Sequence, residues 1–149
     1  MIKIMVFGTF DILHPGHLDF FRQAKEHGDR LTVVVAHDET VKSIKGKYPV
    51  NNQNERMAEI NKQEIVDEVI AARSGGNRMQ VVREYQPAVI CLGYDQHKFV
   101  DKLKNYIKDN GQDIKIIRTK SYKPEIYKSS IILDKNARYQ SNPQGPKKD

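Results

Sequence analysis

The chain has 149 residues, enough for one domain with a single sizeable core. Its formal charge is +6, but four cations against one anion near the C-terminus (Lys135, Arg138, Lys147, Lys148, Asp149) supply half of it, so the body is only mildly basic. Such a balance suits small phosphorylated molecules and, without a basic stripe interleaved with aromatics, argues against a nucleic-acid surface.

A lone cysteine excludes a disulfide framework and favours a reducing, cytoplasmic setting. No apolar run approaches the length of a membrane span, and the N-terminus opens directly on a strand, so neither a membrane segment nor a signal peptide is expected.

The first strand is predicted over the apolar run Ile2 to Phe7, and a helix is predicted through Leu18 to Lys25. Between them lies Gly8-Thr9-Phe10-Asp11-Ile12-Leu13-His14-Pro15-Gly16-His17. Pro15 suits a first helical turn, and Gly8 and Gly16 allow close backbone approach above the strand end. Unpaired amides and the helix dipole there favour an anion, most often a phosphate. His14 and His17, three apart, face one side of that turn as two donors to a polyphosphate. A shared metal is a weaker use of them, because no Cys or acidic cluster completes a ligand set.

Gly28 is expected to cap this helix. Leu31 to Ala36, β-branched and almost continuously apolar, reads as a strand buried on both faces, as in a parallel sheet. Asp38 is the expected N-cap of a short helix, followed by Lys42, Lys45 and Lys47 around Gly46. After the break at Pro49 to Asn52, a helix to Ile60 carries Arg56. Ile65 to Ala71 reads as the third strand, Arg78 to Tyr85 as a helix ended by Gln86-Pro87, and Ala88 to Leu92 as the fourth strand. Cys91 lies in that apolar run, as a core thiol.

Gly93-Tyr94-Asp95-Gln96 follows. In a parallel α/β sheet ligands sit at the carboxyl ends of strands near the reversal of strand order, so the ends of the first and fourth strands are expected to line one crevice. Asp95 is suited there to a ribose hydroxyl, a base edge or a metal-bound water, and equally to capping the next helix. A helix over Val100 to Asn110, with Gly111 as its cap, leads to a fifth strand, Ile114 to Ile117. Ser129 and Ser130 offer hydroxyls and amides at a final helix start, a second phosphate-receptive end. The domain is expected over residues 1–135. Residues 136–149 are too polar and too rich in Pro and Gly for a core and are expected to be disordered. Five strands alternating with helices predict an α/β fold, a doubly wound parallel sheet in the order 3-2-1-4-5.

The segment from Gly8 to His17 resembles the G-T-F-D-x-x-H-x-G-H signature of the cytidylyltransferase-like nucleotidyltransferases, a Rossmann-like family. The resemblance implies attack by a phosphate monoester on the α-phosphorus of a nucleoside triphosphate, with pyrophosphate leaving. It places His14 and His17 at the triphosphate, Lys45 and Arg118 in charge neutralisation, and Thr9, Phe10, Asp11, Gly16, Gly93, Asp95, Ser129 and Ser130 around the nucleotide. Lys47 and Arg56, the latter in a Glu55-Arg56 pair similar to the family's E-x-R element, are assigned to substrate phosphates. A magnesium ion is expected to arrive with the triphosphate, and homodimers are common in the family.

The stretches Asp38 to Gly46, Val66 to Val69, Gly93 to Gln96 and Tyr127 to Ser130 are similar to archaeal FAD synthases, which implies ATP and FMN as substrates. Arg118-Thr119 instead resembles the opening of the C-terminal motif of glycerol-3-phosphate cytidylyltransferases, which would use CTP. Two departures stand out: Lys120 to Lys128 intervene before the serine pair, and Ile131 occupies a position that is usually basic. The Cys found near the C-terminus of archaeal FAD synthases is also missing. A nucleotide-binding module without catalysis is the alternative from another class.

Overall fold

In the computed structural model, which describes residues 1–75, 78–97 and 100–121, the five strands form one sheet. They are β1 (Lys3–Gly8), β2 (Arg30–Val35), β3 (Glu68–Ala71), β4 (Val89–Leu92) and β5 (Lys115–Arg118). All neighbours are parallel, in the order β3-β2-β1-β4-β5 that the strand–helix alternation predicts. Both faces are apolar, since a parallel sheet is covered by its crossover helices.

Strand alternation divides the core. Ile4, Val6, Leu31, Val33, Val35 and Cys91 point to one face, where they meet Phe21 and Ala24 of α1 (Pro15–Lys25) and Ile60 of α3 (Gln53–Asn61). Met5, Phe7, Val34, Ile90 and Leu92 point to the other. There they meet Val82 of α4 (Arg78–Tyr85) and Leu103 and Tyr106 of α5 (Val100–Asp109). The short α2 (Asp38–Lys45) buries Val41.

Three local expectations are corrected. Gly28 is not a left-handed cap: α1 ends at Lys25 with Glu26 as its C-cap, and a Cβ on Gly28 would stand 2.7 Å from the Ile2 carbonyl oxygen, so the residue serves close backbone approach. The N-cap of α2 is His37, whose Nδ1 accepts the Glu39 N–H at 3.1 Å, which releases Asp38 for another partner. The third strand starts at Glu68, not Ile65. Asp67 accepts the Leu31 N–H at 2.7 Å and pairs with Lys25, and Val66 turns into the core ahead of the ladder.

The carboxyl edge of the sheet positions the site. β1 stays in register with β2 as far as Gly8 opposite Val35, but pairs with β4 only through Ile4–Val89 and Met5–Ile90. Beyond those rungs the side chain of Gln96 spans the gap. Its Nε2 donates to the Phe7 carbonyl at 2.8 Å and its Oε1 accepts the Gly93 N–H at 2.9 Å. Gln53 does the same between β2 and β3, donating to the Val35 and Ala72 carbonyls.

Candidate active site

The turn from β1 to α1 is shaped by Phe10, which sits in the left-handed region (φ 52°) and folds its buried ring back over Gly8. A side chain there would collide with the ring. The next turn brings up the histidines. His14 is the N-cap of α1, extended at φ −142°, and its Nδ1 accepts the Gly16 N–H at 3.0 Å. That bond places the proton of the neutral ring on Nε2.

His17 stacks on His14 with ring centroids 3.7 Å apart and planes 24° from parallel. The ring of Phe10 meets His17 edge-on at 5.4 Å, and the imidazole donates an N–H to the Ile12 carbonyl. Burial pushes His14 down to about 4. Burial first, then the neighbouring His14 and Lys45, push His17 down to about 3. Both rings are therefore neutral at pH 7; His14 carries its proton on Nε2 at the positive end of the helix, while the N–H of His17 is engaged by the Ile12 carbonyl.

Two residues expected at the ligand have structural partners instead. Asp11 is buried, and its two carboxylate oxygens accept the Val50 and Asn51 N–H groups at 2.7 and 2.8 Å, while the Asn51 amide donates back to the Asp11 carbonyl. Asp11 thus fastens the loop after α2 to the histidine turn. Arg56, expected at the substrate phosphates, is 1% exposed. It donates to the carbonyls of Thr9, Ala36 and Asn51 and to the Asp38 carboxylate, at 2.7 to 3.0 Å.

Lys45, the last residue of α2, shares a field with His17, Asp11, Arg56, Asp95 and Lys47. Desolvation first, with Arg56 and Lys47 adding, pushes its ammonium below the ordinary lysine value, against the opposing pull of Asp11 and Asp95. The site thus runs from the stacked His14–His17 pair to Lys45, which feels His17 on one side and Asp95, exposed just beyond β4, on the other. Lys47 lies exposed just beyond the left-handed Gly46. Thr9 is half-buried with its carbonyl on Arg56, and Gly16 supplies the amide that His14 accepts.

Arg118 extends from β5 across the turn after β4, and its Nη1 donates to the Gly93 and Gln96 carbonyls at 2.7 and 2.8 Å. It holds the shape of the Gly93 to Gln96 turn. Thr119 is buried, bonded to the Leu92 carbonyl through both its N–H and its hydroxyl. Ser129, Ser130, Ile131 and the tail lie outside the described residues. Asn51 and Gln53 are parts of the site framework that the sequence does not reveal: each lies in or beside a chain break, where polar residues are ordinary. Among the described residues no group of three or more His, Cys, Asp or Glu could hold a metal ion by itself.

A model of the cytidylyltransferase-like family matches residues 5–135, and the chain belongs to that family; it is a nucleotidyltransferase. Among its relatives it is 39% identical over 135 residues to the FAD synthase of Thermococcus sibiricus, covering 90% of this chain and 91% of that one. It is 41% identical over 128 residues to the FAD synthase of Thermococcus kodakarensis, covering 86% and 83%.

Among solved structures, a Thermoplasma volcanium protein described as a lipopolysaccharide core biosynthesis protein superposes with a TM-score of 0.75. It is 40% identical, and the match covers 82% of this chain and 98% of that one. A pantothenate synthetase from Thermus thermophilus shares the fold alone, at 13% identity and a TM-score of 0.58, over 80% of this chain and 55% of its own. No helix among the described residues is long and apolar enough to cross a membrane.

Proposed function

We propose that this nucleotidyltransferase is an FMN adenylyltransferase, an FAD synthase. In this reading the terminal phosphate oxygen of FMN attacks the α-phosphorus of ATP, the bond from that phosphorus to the bridging oxygen breaks, and pyrophosphate leaves with the electron pair. The observation that carries the transfer chemistry is the stacked His14–His17 pair at the start of α1, within the field of Lys45. The identity to FAD synthases over nine-tenths of the chain supports the choice of ATP and FMN.

The attacking phosphate is already anionic, so the protein need not activate a nucleophile. Its part is alignment and charge stabilisation. His14 donates from Nε2 to a phosphoryl oxygen, His17 donates from its second nitrogen once phosphate charge draws a proton onto it, and the α1 amides add their dipole. Lys45 and Lys47 neutralise charge accumulating between the α-phosphate and its bridging oxygen. Arg118 keeps the Gly93 to Gln96 turn open beside the nucleotide, with Asp95 at its rim.

A magnesium ion arriving with the triphosphate would neutralise phosphate charge. Asp95 is the exposed carboxylate suited to one of its waters, because both oxygens of Asp11 already accept backbone N–H groups.

The test is pyrophosphate release with magnesium, crossing ATP and CTP against FMN and glycerol 3-phosphate. Turnover with ATP and FMN alone is expected. Turnover with CTP and glycerol 3-phosphate would replace the proposal with a glycerol-3-phosphate cytidylyltransferase, and nucleotide binding without pyrophosphate release in any combination would leave a binding module.

A further inference from the structure

We infer that Arg56 is a positioning residue for nucleotidyl transfer: a single buried guanidinium staples both ends of the segment 38–51 and thereby fixes Lys45 against the histidine pair. The inference rests on the transfer reaction proposed above and adds the device that holds one of its charges in place.

The segment begins at Asp38, whose Oδ1 accepts from Arg56 Nη2 at 2.7 Å, and ends at Asn51, whose carbonyl accepts from Nε at 3.0 Å. The same guanidinium is rooted in the sheet edge. Nη1 donates to the Thr9 carbonyl just after β1 at 2.7 Å, and Nη2 donates to the Ala36 carbonyl just after β2 at 2.8 Å. Its side chain is fully buried, whereas Asp38 is 29% exposed.

Two facts make this more than a stabilising contact. First, α2 has little other anchorage: Val41 is its buried residue, and Ile44, Tyr48 and Val50 stand exposed along the segment. Second, the two ends of the segment are held unequally. Asp11 and Arg56 both grip the 50–51 end, but among the described residues the carboxylate of Asp38 bonds Arg56 alone. Lys45 lies between these ends, so its position within the field of His17 depends on the fork of one guanidinium. A lysine at position 56 keeps the charge but cannot span four acceptors in a plane.

The experiment compares wild type, Arg56→Lys, Lys45→Ala and the double variant, with ATP and FMN, alongside direct ATP titration and amide hydrogen exchange. Arg56→Lys is expected to lower kcat by about tenfold or more while ATP affinity changes by less than about threefold. Added to Lys45→Ala it is expected to cost less than about twofold further, because the residue it positions is already gone. Amide exchange should rise over 38–51 while β1 and β4 stay protected.

Wild-type turnover in Arg56→Lys, a fully multiplicative loss in the double variant, or unchanged protection of 38–51 would each overturn the inference. Inactivity of the wild-type protein with ATP and FMN would instead sink the proposed reaction. Exchange would still decide whether Arg56 fixes the segment.

Discussion

Phe10 lies on Gly8 so closely that a Cβ at residue 8 would stand 2.6 Å from its Cζ and 2.8 Å from its Cε2. The contact holds Phe10 in a left-handed backbone conformation that costs a non-glycine residue on the order of 1 kcal/mol or more. Burial against Phe20 and Phe21 offsets that cost. Because the same ring meets His17 edge-on, Gly8→Ala is expected to destabilise the fold by about 1–3 kcal/mol and to lower turnover in the protein that remains folded. Denaturant unfolding and single-turnover kinetics check this. Wild-type kinetics in a destabilised variant would show that the ring does not transmit the displacement to His17.

His17→Ala is expected to reduce kcat far more than nucleotide affinity. A donor aimed at charge that develops during transfer contributes little to ground-state binding, and loss of one such donor costs roughly a hundredfold or more in rate. Direct nucleotide titration beside pyrophosphate release separates the two quantities. Equal activity of the variant would remove His17 from the reaction.

The histidine pair also predicts a pH dependence. With His14 at about 4 and His17 at about 3 in the folded chain, and near 6.5 when unfolded, the unfolded chain binds more protons between those values. Their contribution to stability is therefore fully present above about 6.5 and is lost progressively as pH falls toward 3. A bound triphosphate opposes this by favouring the charged rings. Nucleotide binding near pH 6 is expected to take up protons, measurable by calorimetry in buffers of different ionisation enthalpy. Identical heats after correction for nucleotide ionisation would show that neither ring feels the phosphate.

Gly28→Ala offers a contrast at the amino edge of the sheet. The added Cβ meets the Ile2 carbonyl oxygen at 2.7 Å, and backbone cannot move aside as a flexible side chain would. The melting temperature is expected to fall by several degrees, equivalent to about 1–3 kcal/mol, with kcat unchanged in the folded protein. A selective loss of turnover would mean that the two edges of the sheet are coupled.

Cys91 is fully buried in β4, and desolvation pushes its thiol up to about 11. Little thiolate exists at pH 8, and the side chain has no exposed surface. Iodoacetamide is expected to leave both mass and activity of the native protein unchanged and to modify one site after unfolding. Rapid alkylation of the native protein would contradict that burial.

The sequence reveals the sheet order and most helices because the signals are local: apolar runs for buried strands, Pro15 at a helix start, Gly111 at a helix end. It also points to the histidine pair, although His14 is the extended N-cap and not a helical residue, so the rings meet through the cap geometry and not through helix spacing. It does not say which internal partners a buried charge takes. Arg56 and Asp11 carry the charges expected at a phosphate site, but carbonyls of three loops and two backbone amides claim them from residues 5 to 47 positions away. No periodicity reports such a contact. Asp38 shows the same limit: it has the right chemistry for a cap, but His37 takes that position and the carboxylate turns inward to a cation 18 residues downstream.

Gln96 has a consequence for how such a site changes over time. Most strand pairs are joined by main-chain rungs that a substitution short of proline leaves in place, but where β1 and β4 part company the last rung is a carboxamide encoded by a single codon, as is the Gln53 brace between β2 and β3. Mutation can lengthen, shorten or abolish that rung without disturbing the paired rungs behind it. The width of the cleft is thereby a heritable trait separable from the fold, open to selection in one step.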